Sequence, residues 1–404
     1  MSEDRRQFVW ARPGGERERA DSPAGRNAVP RTPQGDQPPV GDSSDARGDR
    51  PPRVRPATGG ATGREAARPP NAASRGPTGR RSDDPRVRFR FRARGPVGVA
   101  SAAGDRSVYL GCADGYARAL APDGSVRWTV RLGGRVSAPS VADGLVYAAA
   151  ADGTVVALDP ATGERRWTFA TGRELRAGPV VADGTVYVAG DGGRVTALHA
   201  EDGTRAGSFR NAARAICALA VDGDRLFLAG LDGGAYAHDR TDGRERWRVA
   251  PDAAVHGAPT VEGETAYVGT VDGGRIRAVS AVTGRERWRF DAGAGVWASP
   301  AVVGDTVVAG SADGAVYALD APDGAERWRI DTGARIWASA VVADGTAIVG
   351  NEAGVVYAID VETGAVEWRH RPGEAVVAPA AVADATVYVA DRGGAVSALS
   401  KDVR

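Results

Sequence analysis

The 404-residue sequence predicts an all-β protein, an eight-bladed β-propeller of four-stranded blades that follows a disordered N-terminal tail. Three observations predict this fold. A unit of about 40 residues recurs eight times, each unit holds four short apolar runs separated by turn residues, and the last unit lacks its fourth run. A period of that length indicates a repeat architecture whose units bury a core only together.

Residues 1–85 form the predicted tail. They hold 13 of the 24 prolines, and 16 arginines against 12 acidic residues. Such a stretch has too few apolar side chains to offset the entropy of ordering the chain. We therefore expect a disordered, weakly basic segment, with an arm that contacts an acidic partner as the alternative, followed by a propeller at residues 86–404.

Two series of positions mark the repeat, one with spacings of 39 to 41 residues and one with spacings of 38 to 41. The first series is Trp128, Trp167, Gly207, Trp247, Trp288, Trp328 and Trp368. The second series is Tyr109, Tyr147, Tyr187, Phe227, Tyr267, Val308, Ile348 and Tyr388. Because two independent markers share one period, the repeat is genuine and has eight units.

Each unit contains four predicted strands. In residues 137–170, Asp-Gly and Thr-Gly pairs separate runs that are rich in β-branched and aromatic residues, which is the hairpin signal. No useful length of residues 86–404 shows a helical period of 3.6. Four strands in each of eight units are typical of a β-propeller.

The two ends of the repeat predict how the ring closes. The last unit stops at AVSALSKDVR, after its third strand, and Phe89 precedes Tyr109 by the same 20 residues that separate Trp167 from Tyr187. We therefore expect Phe89–Phe91 to pair with Val396–Leu399 as the missing fourth strand. This closure removes the open edges that the array would otherwise expose.

A motif between the third and fourth strands ends in the tryptophan. It is ALDPATGERRW at 157–167 and AIDVETGAVEW at 358–368. The Asp accepts N–H bonds in the turn, the Gly takes a positive φ, and the ring supplies buried area between blades. We expect this docking role for Trp128, Trp167, Trp247, Trp288, Trp328 and Trp368. Gly207 replaces the ring in unit three, so we expect the least well packed interface there.

The pattern A-x-D-x-x-T-G-x-x-x-W resembles the tryptophan-docking motif of pyrroloquinoline-quinone (PQQ) type propeller repeats. The resemblance covers residues 86–404 and implies an eight-bladed fold. That superfamily includes quinoprotein dehydrogenases, the BamB-like lipoprotein of outer-membrane barrel assembly and sensor domains of bacterial kinases. Because the motif is structural, the resemblance leaves the function open.

We expect a non-catalytic scaffold for protein interaction or ligand sensing, with a PQQ-dependent oxidoreductase or a BamB-like outer-membrane assembly factor as the alternatives. For a quinoprotein, the resemblance implies a vicinal disulfide over the quinone and calcium ligands from Glu, Asn and Asp. Cys112 and Cys217 lie three units apart, which is too far for a disulfide, and the propeller holds only Asn211 and Asn351. We therefore expect two free, buried thiols. We also expect no cofactor, because the site residues for PQQ are not recognisable.

Composition limits the partners and the compartment. The net charge of +1 argues against a nucleic-acid binder, and no apolar run reaches the 18 residues of a transmembrane helix. The four histidines lack metal-ligand spacing, and the acids of the Asp-Gly turns serve either turn geometry or a ring that binds cations or a basic partner. We expect a monomer with an unidentified protein partner, cytoplasmic as the sequence is written and exported if its start is misassigned.

A variable column of residues predicts where a ligand or partner binds. Counting back three residues from the recurring Pro gives Gly98, Val136, Arg176, Ile216, His256, Trp297, Trp337 and Val376. First strands line the channel of a propeller, so this column is expected to form a ring near one mouth. Arg176, His256, Trp297 and Trp337 suit either a planar anionic ligand or an inserted peptide side chain, whereas the alternative is that the tryptophans only plug the channel.

Overall fold

The computed structural model describes residues 84, 86–101, 107–213, 216–231, 234–249, 253–383 and 385–401. In this part of the chain the strands form eight four-stranded antiparallel sheets, so the predicted eight-bladed propeller is confirmed. Apart from Asp84, the tail predicted for residues 1–85 lies outside the described residues. The described part of the chain contains no helix that could cross a membrane.

Each blade takes its strands in order from the channel outward, and the first strands of neighbouring blades contact each other around the centre. Blade 1 has β2 (Val97–Ser101), β3 (Val108–Cys112), β4 (Tyr116–Leu120) and β5 (Val126–Arg131). Blade 2 has β6 (Ser140–Ala142), β7 (Leu145–Ala149), β8 (Thr154–Leu158) and β9 (Arg165–Ala170). Blade 3 has β10 (Val180–Ala182), β11 (Thr185–Ala189), β12 (Arg194–His199) and β13 (Arg205–Arg210). Blade 4 has β14 (Ile216–Asp222), β15 (Arg225–Gly230), β16 (Gly234–Asp239) and β17 (Glu245–Val249).

The second half of the ring repeats this order. Blade 5 has β18 (Thr260–Glu262), β19 (Thr265–Gly269), β20 (Arg275–Ser280) and β21 (Glu286–Asp291). Blade 6 has β22 (Ala301–Val303), β23 (Thr306–Gly310), β24 (Ala315–Asp320) and β25 (Glu326–Asp331). Blade 7 has β26 (Val341–Ala343), β27 (Thr346–Gly350), β28 (Val356–Asp360) and β29 (Val366–His370). Blade 8 has β30 (Ala381–Ala383), β31 (Thr386–Ala390), β32 (Ala395–Ser400) and, as its outer strand, β1 (Val87–Arg92).

The N-terminal strand closes the ring as predicted. β1 runs antiparallel to β32, with Phe89 opposite Ala398 and Phe91 opposite Val396. The Phe89 ring centroid lies 6.2 Å from that of Tyr388, a distance close to the 5.8 Å between Tyr109 and Trp128 within blade 1. Phe89 therefore takes in blade 8 the place that a docking tryptophan takes in the other blades.

The docking tryptophans lie between adjacent blades. The rings of Trp128, Trp167, Trp247, Trp288 and Trp368 are 6–8% exposed, and that of Trp328 is half-buried. In five of these interfaces the indole Nε1–H donates to a carbonyl in the turn between the third and fourth strands of the next blade, as in the 2.8 Å bond from Trp288 to Ala321. The other donor–acceptor pairs are Trp128 with Pro160, Trp167 with Ala200, Trp247 with Ala281 and Trp328 with Val361.

Gly207 replaces the tryptophan at the interface between blades 3 and 4, and a side chain of blade 4 is buried there. Arg240 of blade 4 is buried, and its guanidinium pairs with Asp183 of blade 3. It occupies the position at which the other blades place a small residue such as Ala281. Burial raises the pKa of Tyr187, the aromatic residue of β11, to about 12, and the nearby Arg240 charge opposes this rise. A buried, charged side chain of the neighbouring blade therefore lies at the interface where the deficit is expected.

One contact involves a residue that precedes residue 86, the expected start of the propeller. Asp84, which falls inside the predicted tail, contacts Nδ1 of His370 at 2.5 Å through its Oδ2 atom. Burial lowers the pKa of His370, and the opposing effect of the Asp84 carboxylate does not reverse this. The contact is therefore a hydrogen bond donated by a neutral imidazole, and it ties the start of β1 to the end of β29.

Candidate functional site at the channel mouth

One buried aliphatic residue begins or precedes the first strand of every blade. The eight members of this core column are Val97, Val136, Leu175, Ile216, Val255, Val296, Ile336 and Val376. Backbone bonds fix them in equivalent positions, because Val296, Ile336 and Val376 each donate an N–H to the last residue before a second-to-third strand turn, at 2.9, 3.2 and 3.0 Å. The residues that follow the core column form the ring at the mouth.

We name this ring the mouth column. Its members are Gly98, Ser137, Arg176, Cys217, His256, Trp297, Trp337 and Val377. The sequence-based column was therefore one residue out of register at Val136, Ile216 and Val376, which are core residues. The reason is that the segment between the core residue and the Pro varies in length: three residues lead from Val136 to Pro139, whereas four lead from Val296 to Pro300.

Three aromatic side chains of the mouth column touch one another across blades 5, 6 and 7. The ring centroids of His256 and Trp297 are 4.3 Å apart, and those of Trp297 and Trp337 are 5.1 Å apart and nearly perpendicular, at 79°. All three residues are half-buried, so part of each ring remains accessible. We call His256, Trp297 and Trp337 the aromatic crescent.

His256 is the titratable member of the crescent. Burial lowers its pKa, and the Asp272 carboxylate opposes that change without reversing it. The imidazole is therefore neutral at neutral pH, because its ordinary pKa of about 6.5 is already below this value. The crescent carries no net charge of its own.

Arg176 is separated from the crescent by blade 4. Its Nε donates to Oδ1 of Asp191 at 2.6 Å, and its Nη2 lies 3.6 Å from a carboxylate oxygen of Glu174. The bond from Arg176 lowers the pKa of Asp191, so the carboxylate is ionised and neutralises the guanidinium. The structure thus brings three of the four predicted site residues together and places Arg176 in an ion pair two blades away.

Most acids of the second-to-third strand turns hold their own turns. Asp152 accepts the backbone N–H of Thr154, and Asp313 accepts that of Ala315 and the hydroxyl of Tyr317. Asp391 is buried and accepts two backbone N–H groups, those of Ala395 and Glu374. Across the described ranges, no three His, Cys, Asp or Glu side chains converge as metal ligands would.

The two cysteines are free thiols in blades 1 and 4. Cys112 is buried as expected, but Cys217 is only half-buried, because it belongs to the mouth column. Burial raises the pKa of each thiol to about 11. Together with the donor set above, the described residues do not fit a PQQ site with a vicinal disulfide and calcium ligands.

Charge is divided unevenly around this face of the propeller, which carries the connections into each blade and the turns between second and third strands. Over blades 1–3 these segments hold seven arginines and four acids: Arg92, Arg94, Arg131, Arg135, Arg173, Arg176 and Arg194 against Asp114, Asp152, Glu174 and Asp191. Over blades 5–7 the described residues of these segments include five acids and two arginines: Asp272, Asp291, Asp313, Asp331 and Glu352 against Arg275 and Arg335. The aromatic crescent lies in the acidic half.

Sequence reasoning missed the three true members of the mouth column, Ser137, Cys217 and Val377, as well as this charge division. The alternation of one invariant aliphatic residue and one variable residue was a signal that could have set the register. The charge division could be recognised only after the turns had been assigned to one face.

Comparison with known proteins agrees with the architecture. Residues 55–208, 207–335 and 312–403 match the family model described as "Outer membrane protein assembly factor BamB". No curated protein sequence matches the chain. Many solved structures share the fold, and the three described next do so at identities that support the fold alone.

The first is the computationally designed Ika8 protein, with a TM-score of 0.70, 18% identity and coverage of 76% of this chain and 97% of that chain. BamB from Moraxella catarrhalis has a TM-score of 0.67 and 19% identity, with coverage of 77% of this chain and 98% of that chain. Sqt1 from Saccharomyces cerevisiae has a TM-score of 0.68 and 14% identity, with coverage of 77% of this chain and 97% of that chain. The family match spans most of the sequence and agrees with the eight blades and the docking motif. The chain therefore belongs to the BamB-like family of PQQ-type repeat propellers.

Proposed function

We propose that this protein is a non-catalytic scaffold whose channel mouth binds a protein partner. The observation that carries the proposal is the aromatic crescent, three rings from consecutive blades that are preassembled and partly accessible. Aromatic side chains that offer a large rigid surface with little loss of rotamer freedom are enriched in the energetic centres of interfaces. No described cluster offers the donors of a metal or PQQ site, so nothing favours the oxidoreductase alternative.

The rigidity of the surroundings supports the same proposal. The residue before each crescent member belongs to the buried core column, and the backbone N–H groups of Val296 and Ile336 are bonded to the preceding blade. A surface whose backbone is already ordered loses little conformational entropy on binding. This is a property that a scaffold needs and that the repeat provides.

Site-specific photocrosslinking in the native host tests the proposal. A benzoylphenylalanine at Glu352, an exposed residue next to the connection that carries Trp337, is expected to give a discrete adduct with one partner. The adduct is expected to disappear in a folded Trp297→Ala, Trp337→Ala double variant. The control places the same group at Glu201, an exposed residue in a turn on the opposite face. Equal adducts from both positions, or an adduct that is insensitive to the double variant, would contradict the proposal.

The family match favours one specific form of this scaffold, an assembly factor for outer-membrane proteins. BamB from Moraxella catarrhalis has the same fold, and the family model carries that description. Fractionation of the crosslinked cells tests this form. An adduct in the outer-membrane fraction supports it, whereas an adduct confined to the cytoplasm removes it and leaves the scaffold proposal intact.

A further inference from the structure

We propose that the aromatic crescent binds the guanidinium or ammonium group of a basic peptide segment in the partner. The inference rests on the proposed function and adds the chemistry of the partner to it. Two independent features carry it: the accessible indole rings and the excess of carboxylates around them.

The rings provide the first feature. A cation over the face of Trp is attracted by the quadrupole of the ring, and Trp is the strongest such partner among the aromatic side chains. Trp297 and Trp337 meet edge to face, at 79°, so they form two walls at a right angle rather than one flat stack. A side chain that enters this corner would contact both rings.

The chain already places a guanidinium over one of these rings. Arg335, which lies two residues before Trp337, has its Cζ atom 6.0 Å from the centroid of the Trp337 ring. Similar contacts at 5.1 Å join Arg329 to Tyr317 in blade 6 and Arg369 to Tyr357 in blade 7. The Trp337 ring is thus shown to accept a guanidinium within the distance at which this attraction acts.

The charge around the crescent provides the second feature. In the described part of the connections and turns of blades 5–7, five carboxylates stand against two arginines. Glu352 is exposed, and its backbone N–H donates to the carbonyl of Arg335 at 2.8 Å, so it lies beside the connection that carries Trp337. Carboxylates beside a ring that binds a cation add attraction and disfavour an anion.

An anionic ligand fits this site less well than a cationic one. The cation that it would need, Arg176, is two blades away and is already paired with Asp191 at 2.6 Å. His256 is kept neutral by its burial. Among the described residues, Arg335 is the cation whose contact with a crescent ring is observed, and the described carboxylates of blades 5–7 outnumber it.

Fluorine NMR of the full chain, labelled with 5-fluorotryptophan, tests the inference with defined probes. The nine tryptophans give separate resonances, and Trp297→Phe and Trp337→Phe variants assign the two of interest. The probes are hexa-arginine, hexa-citrulline, which has nearly the same shape without the charge, and hexa-glutamate. We expect only hexa-arginine to move the resonances of Trp297 and Trp337.

Variants then measure the two features separately. Trp337→Leu is expected to weaken hexa-arginine binding about five- to tenfold, since a desolvated cation–ring contact is of that strength. Glu352→Gln is expected to weaken it about threefold, while the matched Glu201→Gln on the opposite face leaves it unchanged. A thermal midpoint equal to that of the wild type shows that a variant is folded. If Trp337→Leu unfolds the protein, the Glu352→Gln variant still tests the inference.

Unmoved Trp297 and Trp337 resonances, equal shifts with hexa-citrulline, or a response to hexa-glutamate would each overturn the inference. These results are separate from the photocrosslinking result. A partner adduct without hexa-arginine binding would retain the scaffold and remove the basic partner. Hexa-arginine binding without an adduct would retain the cation site and remove the protein scaffold.

Discussion

At the scale of single residues, the recurring glycine of the docking motif meets two constraints at once. Gly324 has a φ of +77°, and a Cβ atom added to it would lie 2.6 Å from the Trp288 ring of the preceding blade. Gly163, Gly203, Gly284 and Gly364 lie against the rings of Trp128, Trp167, Trp247 and Trp328 in the same way. The glycine therefore permits the turn and also forms the surface on which the neighbouring ring packs.

A pair of glycine variants separates these two constraints. Gly345 has nearly the same φ, +76°, but open space where its Cβ atom would lie. We expect Gly324→Ala to lower the free energy of unfolding by about 2 kcal/mol more than Gly345→Ala, because overpacking adds to equal backbone strain. Denaturant unfolding of both variants measures the difference. Equal losses would mean that the ring does not require the glycine.

A buried histidine adds a pH dependence at the interface of blades 3 and 4. Nδ1 of His238 lies 3.0 Å from the carbonyl of Gly243, and its Nε2 lies 2.8 Å from the amide nitrogen of Asn211. The Asn211 Oδ1 atom accepts the N–H of Ala213, which orients the amide so that its NH₂ group donates to the imidazole. Both ring nitrogens are thus satisfied only in the neutral form. Protonation of Nε2 would place its N–H against the NH₂ group of Asn211, so that two donors would face each other.

This arrangement gives a definite direction for stability against pH. Burial lowers the pKa of His238 below its ordinary value of 6.5, with Glu245 opposing this change and Arg248 adding to it. The unfolded chain therefore binds a proton first, and the contribution of His238 to stability is lost as the pH falls below about 6.5. We expect the thermal midpoint to fall less between pH 7.5 and 5.5 in His238→Gln than in the wild type. An equal fall would show that this histidine does not contribute.

At the scale of elements, the interface of blades 3 and 4 shows what a repeat pattern does and does not predict. The period predicted the missing ring at Gly207, but Arg240, which is buried at this interface, belongs to the next unit, 33 residues away. The position of Arg240 is Pro, Ala or Val in the units that accept an indole bond, so the exception was visible in the sequence. Its meaning depended on a contact between blades, which no pattern within one unit contains.

Restoring the tryptophan tests whether the two residues share one space. We expect Gly207→Trp alone to lower the free energy of unfolding by about 2 kcal/mol, because Arg240 is buried against the same interface. Adding Arg240→Ala is expected to recover most of that loss, since the exposed Asp183 carboxylate remains solvated without its partner. A double-mutant cycle by denaturant unfolding measures the coupling. Strictly additive effects would place the two side chains in separate spaces.

The mouth column illustrates the same limit at another set of elements. Burial alternates along the connections that precede the first strands of blades 3, 6 and 7, and a buried aliphatic residue followed by a variable one recurs in the sequence, so the existence of a variable ring could be predicted. Its register could not be obtained by counting from the Pro, because the connection is one residue shorter before Pro139 than before Pro300. Likewise, the contacts within the aromatic crescent depend on how closely blades 5, 6 and 7 approach each other, which the sequence does not state.

At the scale of the whole molecule, the ring depends on one strand from the opposite end of the chain. β1 covers the open edge of β32, and Phe89 packs against Gly124 of blade 1 as the tryptophans pack against their glycines. Phe91 is buried in the same core, and Arg86 lies 5.7 Å from the Trp368 ring of blade 7. This short strand and the residue before it therefore connect blades 7, 8 and 1 and close the ring.

The most direct measurement compares two truncations by thermal unfolding and size-exclusion chromatography. Removing residues 1–83 keeps Asp84 and β1, so we expect a monomer with the midpoint of the full chain. Removing residues 1–95 deletes β1, and we expect a midpoint lower by roughly 10 °C or more, with association through the exposed edge of β32. Equal midpoints and equal elution of the two truncated proteins would contradict a ring that is closed by its N-terminal strand.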